Sequence, residues 1–285
     1  MTLREKLARI GLRSALDTRQ EASTLWSDPI CIYDFVERLG TEVWFIGGAS
    51  FAGMYAKGYG RLFVPAERPA GRKAFTCAHE LAHLRFDHGS RVEELEFDRS
   101  DNEVPDEMLA NIYAAYLLMP RQAVANAFSR HSRTPTDAGT IDFYCVANQL
   151  GVGYETLVKH MHWSLRMIEY AKLQELLAVS PKDIRKILLG NEGSSHLIYA
   201  TEHWHKVAID LEIGDFAIIP PSAQLNGPSA KLVGTCSYGQ IVEGVKTGLS
   251  QAMIHDGDWA AMIRVSRRQF AGRCIYRHME DSDED

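Results

Sequence analysis

The chain has 285 residues, 31 of them Lys or Arg and 37 Asp or Glu, which gives a formal net charge of −6. Five of the last six residues, Glu280 to Asp285, are acidic, so the rest of the chain is nearly neutral; that argues against a broad basic surface for nucleic acid. With 46% hydrophobic and 24% charged residues it has the composition of a globular protein that builds its own core, and the length suggests two domains with a small third.

The first 20 residues read as helix, and Pro29 to Leu39 as a second. Glu42 to Ile46 is a β-rich run ended by Gly47 and Gly48, and Gly60 to Pro65 is a short strand closed by its proline. From Arg72 to about His88 the pattern is helical and apolar on most sides (Phe75, Ala78, Leu81, Ala82, Leu84), as in a buried helix. A polar, acidic loop, Ser90 to Glu103, leads to a helix that starts near Pro105, carries Asp106 and Glu107 in its first turn, and stops at Pro120. Residues 136–190 are helical in pattern. From about Ser194 the chain changes to short β-branched runs between Gly, Pro and Asn turns, including Val207 to Leu211, Phe216 to Ile219 and Gln240 to Val242. The expected class is α+β. A mixed core with a small sheet occupies 1–135, a helical segment 136–192 and a β-rich module 193–285, with Gly190 to Ser195 as the linker.

The five cysteines (Cys31, Cys77, Cys145, Cys236, Cys274) are scattered, odd in number and without a CxxC pair. Neither a disulfide framework nor a cysteine zinc ribbon is expected. The charged N-terminal run does not read as a signal peptide, and no segment approaches the roughly 18 apolar residues of a membrane span. A cytoplasmic protein without membrane contact is expected.

His79-Glu80-Leu81-Ala82-His83 places two imidazoles four residues apart on one helix face, where both can reach one cation. Glu80 lies about 100° around the helix. It is placed to act on a water as general base rather than to ligate. Charged and polar side chains in a helix this apolar are costly unless something binds them. Zn²⁺ suits such ligands, and His/His/Glu also accepts Mn²⁺. A third ligand is expected downstream. Glu107 fits, with Asn111 one turn on as the residue able to hydrogen-bond a ligand histidine's second nitrogen. Asp106 and Glu103 compete for the ligand position, and Ala110 and Ala114 allow close helix approach.

Phe75-Thr-Cys-Ala-His-Glu-Leu-Ala-His83, followed by Glu107-Met-Leu-Ala-Asn-Ile-Tyr-Ala-Ala-Tyr-Leu-Leu-Met-Pro120, resembles the ImmA/IrrE family of zinc metallopeptidases. The resemblance implies a gluzincin-like core with His79, His83 and Glu107 on zinc and Glu80 as base. It also implies a protein substrate, typically a helix-turn-helix (XRE-type) repressor of a stress-response, phage-defence or mobile-element operon encoded nearby, whose cleavage derepresses its genes. Relatives tied to DNA damage point to single-stranded DNA as an activator. Two other functions are compatible with the residues: an anti-repressor that sequesters without cutting, and a DNA-binding regulator. An extended substrate would be expected to add as a strand at Gly60 to Val64. Tyr55, Tyr59 and Tyr113 are candidate donors to the oxyanion. Many relatives place a histidine four residues after the second ligand, where this chain has Asp87; His88 is either a shifted equivalent or an exposed helix-end residue.

Ile141 to His160 resembles a helix-turn-helix with Gly151 in its turn. Six basic and six acidic residues over 136–190 suit packing or protein binding better than phosphate. Cys77 reads as a core residue, and His203-Trp-His205 as surface histidines rather than a second metal pair. Arg264, Arg267, Arg268, Arg273 and Arg277 could form an anion patch or pair with the acidic tail.

Overall fold

The structure, a computed structural model, describes residues 1–48, 51–56, 60–88, 92–94, 104–190, 196–255 and 259–279. Tyr59, Glu103, most of the expected linker and the acidic tail lie outside the described residues. In chain order the elements are α1 (Leu3–Glu21), α2 (Ile32–Arg38), β1 (Glu42–Ile46), β2 (Phe51–Ala56), β3 (Arg61–Pro65), α3 (Ala70–Arg85), β4 (Val92–Glu94) and α4 (Pro105–Leu118). There follow α5 (Arg121–Arg130), α6 (Thr140–Gln149), α7 (Tyr154–Trp163), α8 (Tyr170–Leu177) and α9 (Pro181–Leu189). Among the described residues these are followed by β5 (Leu197–Tyr199), β6 (Ile209–Glu212), β7 (Phe216–Ile219), β8 (Gln224–Asn226), β9 (Ala230–Cys236), β10 (Gly239–Gly244), β11 (Gly248–Met253), β12 (Ala260–Ser266) and β13 (Gly272–Arg273), with a 3-10 turn at Cys274–Tyr276. The class is α+β.

These elements pack as two compact units, Met1–Val124 with Leu150–Val152 and Ala271–Cys274, and Ala125–Gln149 with Gly153–Phe270 and Ile275–Asp285. In the first, α1 starts at a capping box: Thr2 accepts from the Glu5 N–H while the Glu5 carboxylate takes the Thr2 N–H. α1 and α4 approach closely at Gly11, where a Cβ would stand 2.7 Å from the Ile112 side chain and 3.2 Å from the Tyr113 nitrogen. The Arg19 guanidinium is fully buried at this junction and donates to the carbonyls of Leu117 (2.8 Å), Leu25 and Asp28 (both 2.9 Å). Burial lowers its pKa to about 10, against the charge of Asp28.

The sheet of this unit runs β13-β1-β3-β2-β4. β1 and β3 are parallel, and β2 lies antiparallel between β3 and β4. This corrects the expectation that substrate adds at Gly60 to Val64: β3 is hydrogen-bonded on both sides and has no free edge. The edge next to β2 is β4, in a stretch read from sequence as loop. Helix α3 packs on β2 and β3 and against α4.

Helices α6 and α7 of the second unit are joined in sequence through Gly151, whose φ of 67° is left-handed. Two four-stranded sheets, β5-β7-β10-β9 and β6-β12-β11-β8, share one apolar core. Ile198, Ile219 and Val242 come to it from one sheet, Leu211, Ile263 and Val265 from the other, with Trp204 and Trp259. Tyr144 of α6 donates to the Leu197 carbonyl at 2.7 Å, which ties helix to sheet.

Candidate metal centre

α3 is buried on its Ala74, Cys77, Ala78, Leu81 and Ala82 positions, and this apolar packing drives His79, Glu80 and His83 into the interior as well. Cys77 is fully buried, as a core residue. α4 begins at Pro105, which needs no amide donor at a helix start, and its first turn carries Glu107.

Three atoms converge between these two helices. His83 Nε2 is 3.0 Å from His79 Nε2, and Glu107 Oε2 is 3.2 Å from His79 Nε2 and 3.4 Å from His83 Nε2. Zinc bonds of about 2.0–2.1 Å in a tetrahedron space neighbouring ligand atoms about 3.3–3.4 Å apart, so the spacing and the donor types both fit that ion. Among the described residues this is the one group of three His, Cys, Asp or Glu whose ligand atoms come together in this way. Burial alone would raise the Glu107 carboxyl. Hydrogen bonds and charge from His79 and His83 outweigh it and hold the group well below the ordinary carboxylate range.

Asn111, one turn beyond Glu107, puts Oδ1 3.1 Å from His79 Nδ1. With Nδ1–H donating there, Nε2 of His79 is left with its lone pair towards the cluster. Glu80 is 2% exposed and lies against β2 at Gly53. A Cβ on Gly53 would press into the Glu80 carboxylate and stand 2.7 Å from the Thr76 methyl. The strand therefore reaches the carboxylate only because that position has no side chain.

A model of the IrrE N-terminal-like domain, Peptidase_M78, matches residues 36–162, a span holding β1 to β4, both helices of the cluster, α5, α6 and nearly all of α7. Over these residues the chain is similar to the Peptidase_M78 family. No curated protein matches it. Among solved structures, a Mycobacterium tuberculosis transcriptional regulator is 16% identical with a TM-score of 0.39, covering 56% of this chain and 52% of that one. The chain thus spans about half the length of that protein.

Within the matched span, Tyr113 is fully buried and donates to the Thr18 hydroxyl at 2.9 Å, which makes it a packing residue. Tyr55 is buried in β2. Asp106 lies 3.8 Å from His88 Nε2. The reading of His88 as an exposed helix end is overturned: its side chain is 9% exposed and its Nδ1 meets His83 Nδ1 at 3.0 Å. The sequence signal was the histidine itself, displaced by one position. Gly53 was missed because β2 was not recognised; a glycine inside Phe51-Ala-Gly-Met-Tyr-Ala was the available sign.

Outside the domain, the arginines do not gather into one anion patch. Arg264 and Arg277 bind Asp210, Arg268 binds Asp215, and Arg273 binds Glu37 and Glu42. His205 Nδ1 accepts from Gln149 at 2.6 Å, and His203 packs edge-on to His131 at 4.8 Å. No disulfide joins the five cysteines, all of which are described. No described helix is long and apolar enough to cross a membrane.

Proposed function

We propose that this protein is a zinc-dependent endopeptidase in which His79, His83 and Glu107 hold the ion and Glu80 is the general base. The observation that carries the reading is the convergence of three donor atoms at 3.0–3.4 Å with a buried glutamate on the adjacent helix position. A zinc ion held there would supply Lewis acidity for the scissile carbonyl and lower the pKa of a water; manganese suits the same ligands. Asn111 accepts the Nδ1–H of His79 and keeps its Nε2 directed at the cluster. Glu80 takes a proton from the attacking water and returns it to the departing amine. Its contact with the Gly53 backbone limits the carboxylate to a narrow range of positions. A pure binding protein has no need of a base at that place, which favours cleavage over sequestration.

The substrate we propose is a helix-turn-helix (XRE-type) repressor encoded near the gene, on the strength of the ImmA/IrrE resemblance, with single-stranded DNA as an activator. Cysteines without disulfides fit a cytoplasmic setting.

The test is incubation of zinc-loaded wild type and Glu80→Gln with that repressor, with and without single-stranded DNA, read by intact-mass spectrometry. One discrete cut by wild type alone is expected. A stable complex that is never cut would replace the peptidase with a sequestering regulator.

A further inference from the structure

Helix α3 ends in a Schellman motif. The His88 N–H donates to the His83 carbonyl at 3.1 Å and the Asp87 N–H to the Leu84 carbonyl at 3.4 Å, with Asp87 left-handed at φ 55°. These two bonds fold the chain back so that the residue after the turn stands beside the one five positions earlier. Helices commonly use that meeting for an apolar contact. Here both partners are histidines, and they meet through Nδ1 atoms 3.0 Å apart. Phe86 stacks on the His88 ring with centroids 5.6 Å apart and planes 20° from parallel, which fixes the ring's plane.

Two Nδ1 atoms at this distance share one proton. His83 uses Nε2 to face His79 and Glu107. A neutral imidazole that offers its Nε2 lone pair to an ion carries its proton on Nδ1. That proton points at His88, whose Nδ1 accepts it. His88 then carries its own proton on Nε2, the atom 3.8 Å from the Asp106 carboxylate. We propose that His88 is a positioning residue of the metal centre: it accepts the Nδ1–H of His83, as Asn111 accepts that of His79, and so sets the tautomer and ring orientation of the second imidazole. The helix cap explains why it works from five residues beyond His83. The inference rests on the metal-centre reading above.

Zinc affinity of the full chain, measured by competition with a chelating dye, tests it for wild type, His79→Ala, His88→Phe, His88→Asn and His88→Gln. His88→Phe keeps a ring against Phe86 but offers no acceptor, and its affinity should fall roughly 10–100-fold. Asn places an oxygen near the former Nδ1 and should recover most of the loss, whereas Gln reaches towards Nε2 and should not. In zinc-loaded protein, the His83 Nδ1–H should be visible by ¹⁵N NMR in wild type and His88→Asn and exchange-broadened in His88→Phe. Wild-type affinity and an unchanged His83 signal in His88→Phe would overturn the proposal. Should His88→Phe fail to fold, equal affinities of the Asn and Gln variants would do so instead. A wild type that binds no better than His79→Ala would instead sink the metal-centre reading itself.

Discussion

Gly53→Ala should separate catalysis from metal binding. The added Cβ would stand 2.7 Å from the Thr76 methyl and 3.0 Å from Glu80 Cδ, and it would overlap Oε1. Carbon atoms settle about 3.5–4.0 Å apart, so roughly 1 Å of movement is required. The strand is held directly after Gly53 by the pairing of Met54 with Phe63 and Tyr55 with Leu62, which limits how far it can retreat. Thr76 is β-branched and stiff at χ1 in a helix. Most of the displacement therefore falls on the Glu80 carboxylate. A 1 Å misplacement of a reacting group costs about 100-fold in rate, and the overpacking costs about 1–3 kcal/mol of stability. The nearest atoms to the new methyl belong to Thr76 and Glu80, and none to His79, His83 or Glu107. Single-turnover cleavage should thus slow about 100-fold, while zinc affinity stays within a few-fold of wild type and melting falls by a few degrees. A full cleavage rate, or loss of zinc in step with activity, would refute the placement of the base beneath β2.

Three other perturbations have expected outcomes. Glu107→Ala should lose zinc, by elemental analysis, together with activity; stoichiometric zinc in the variant would move the third ligand to Asp106 or Glu103. Arg19→Met removes the donor to three carbonyls at the junction of α1, α4 and the following loop, and should cost about 3–5 kcal/mol in denaturant unfolding. A loss under 1 kcal/mol would mean that water replaces the guanidinium. Burial would raise the Asp210 carboxyl, but Arg277 and Arg264 lower it from 3.8 to about 2. Because the folded pKa is the lower one, this carboxylate stabilises the second unit above pH ~4, and the contribution is lost as pH falls through ~2. It amounts to about 1–2 kcal/mol after allowing for a side chain that is 32% exposed. Arg264→Ala should flatten that acid limb of the melting curve, and an unchanged limb would remove Asp210 as its source.

What the sequence made legible is what local spacing controls. An i,i+4 histidine pair in an apolar helix needs no tertiary information to share a face, and Glu107 with Asn111 repeats that logic on α4. Their convergence to 3.0–3.4 Å is then the meeting of two faces each readable alone. Strand neighbours are different. Gly60 to Val64 reads correctly as a strand, yet nothing in those residues reveals that β1 lies on one side and β2 on the other. Nor could Gly272 and Arg273 announce a pairing with Phe45 and Trp44, more than 200 residues away.

Charge is equally deceptive when read along the chain. Five arginines within 264–277 look like one patch, but two of them meet Asp210, one Asp215, and Arg273 leaves the group to bind Glu37 at 2.7 Å. Each such pair holds elements together and leaves little net field for a ligand. His88 shows the opposite case, in which sequence distance conceals contact. A spacing of five falls off the face of a continuing helix, and only the left-handed turn at Asp87 returns it to His83. A motif defined by helical spacing therefore stops being predictive at the residue where the helix stops. There the cap, a feature of backbone conformation, decides which side chains reach the site.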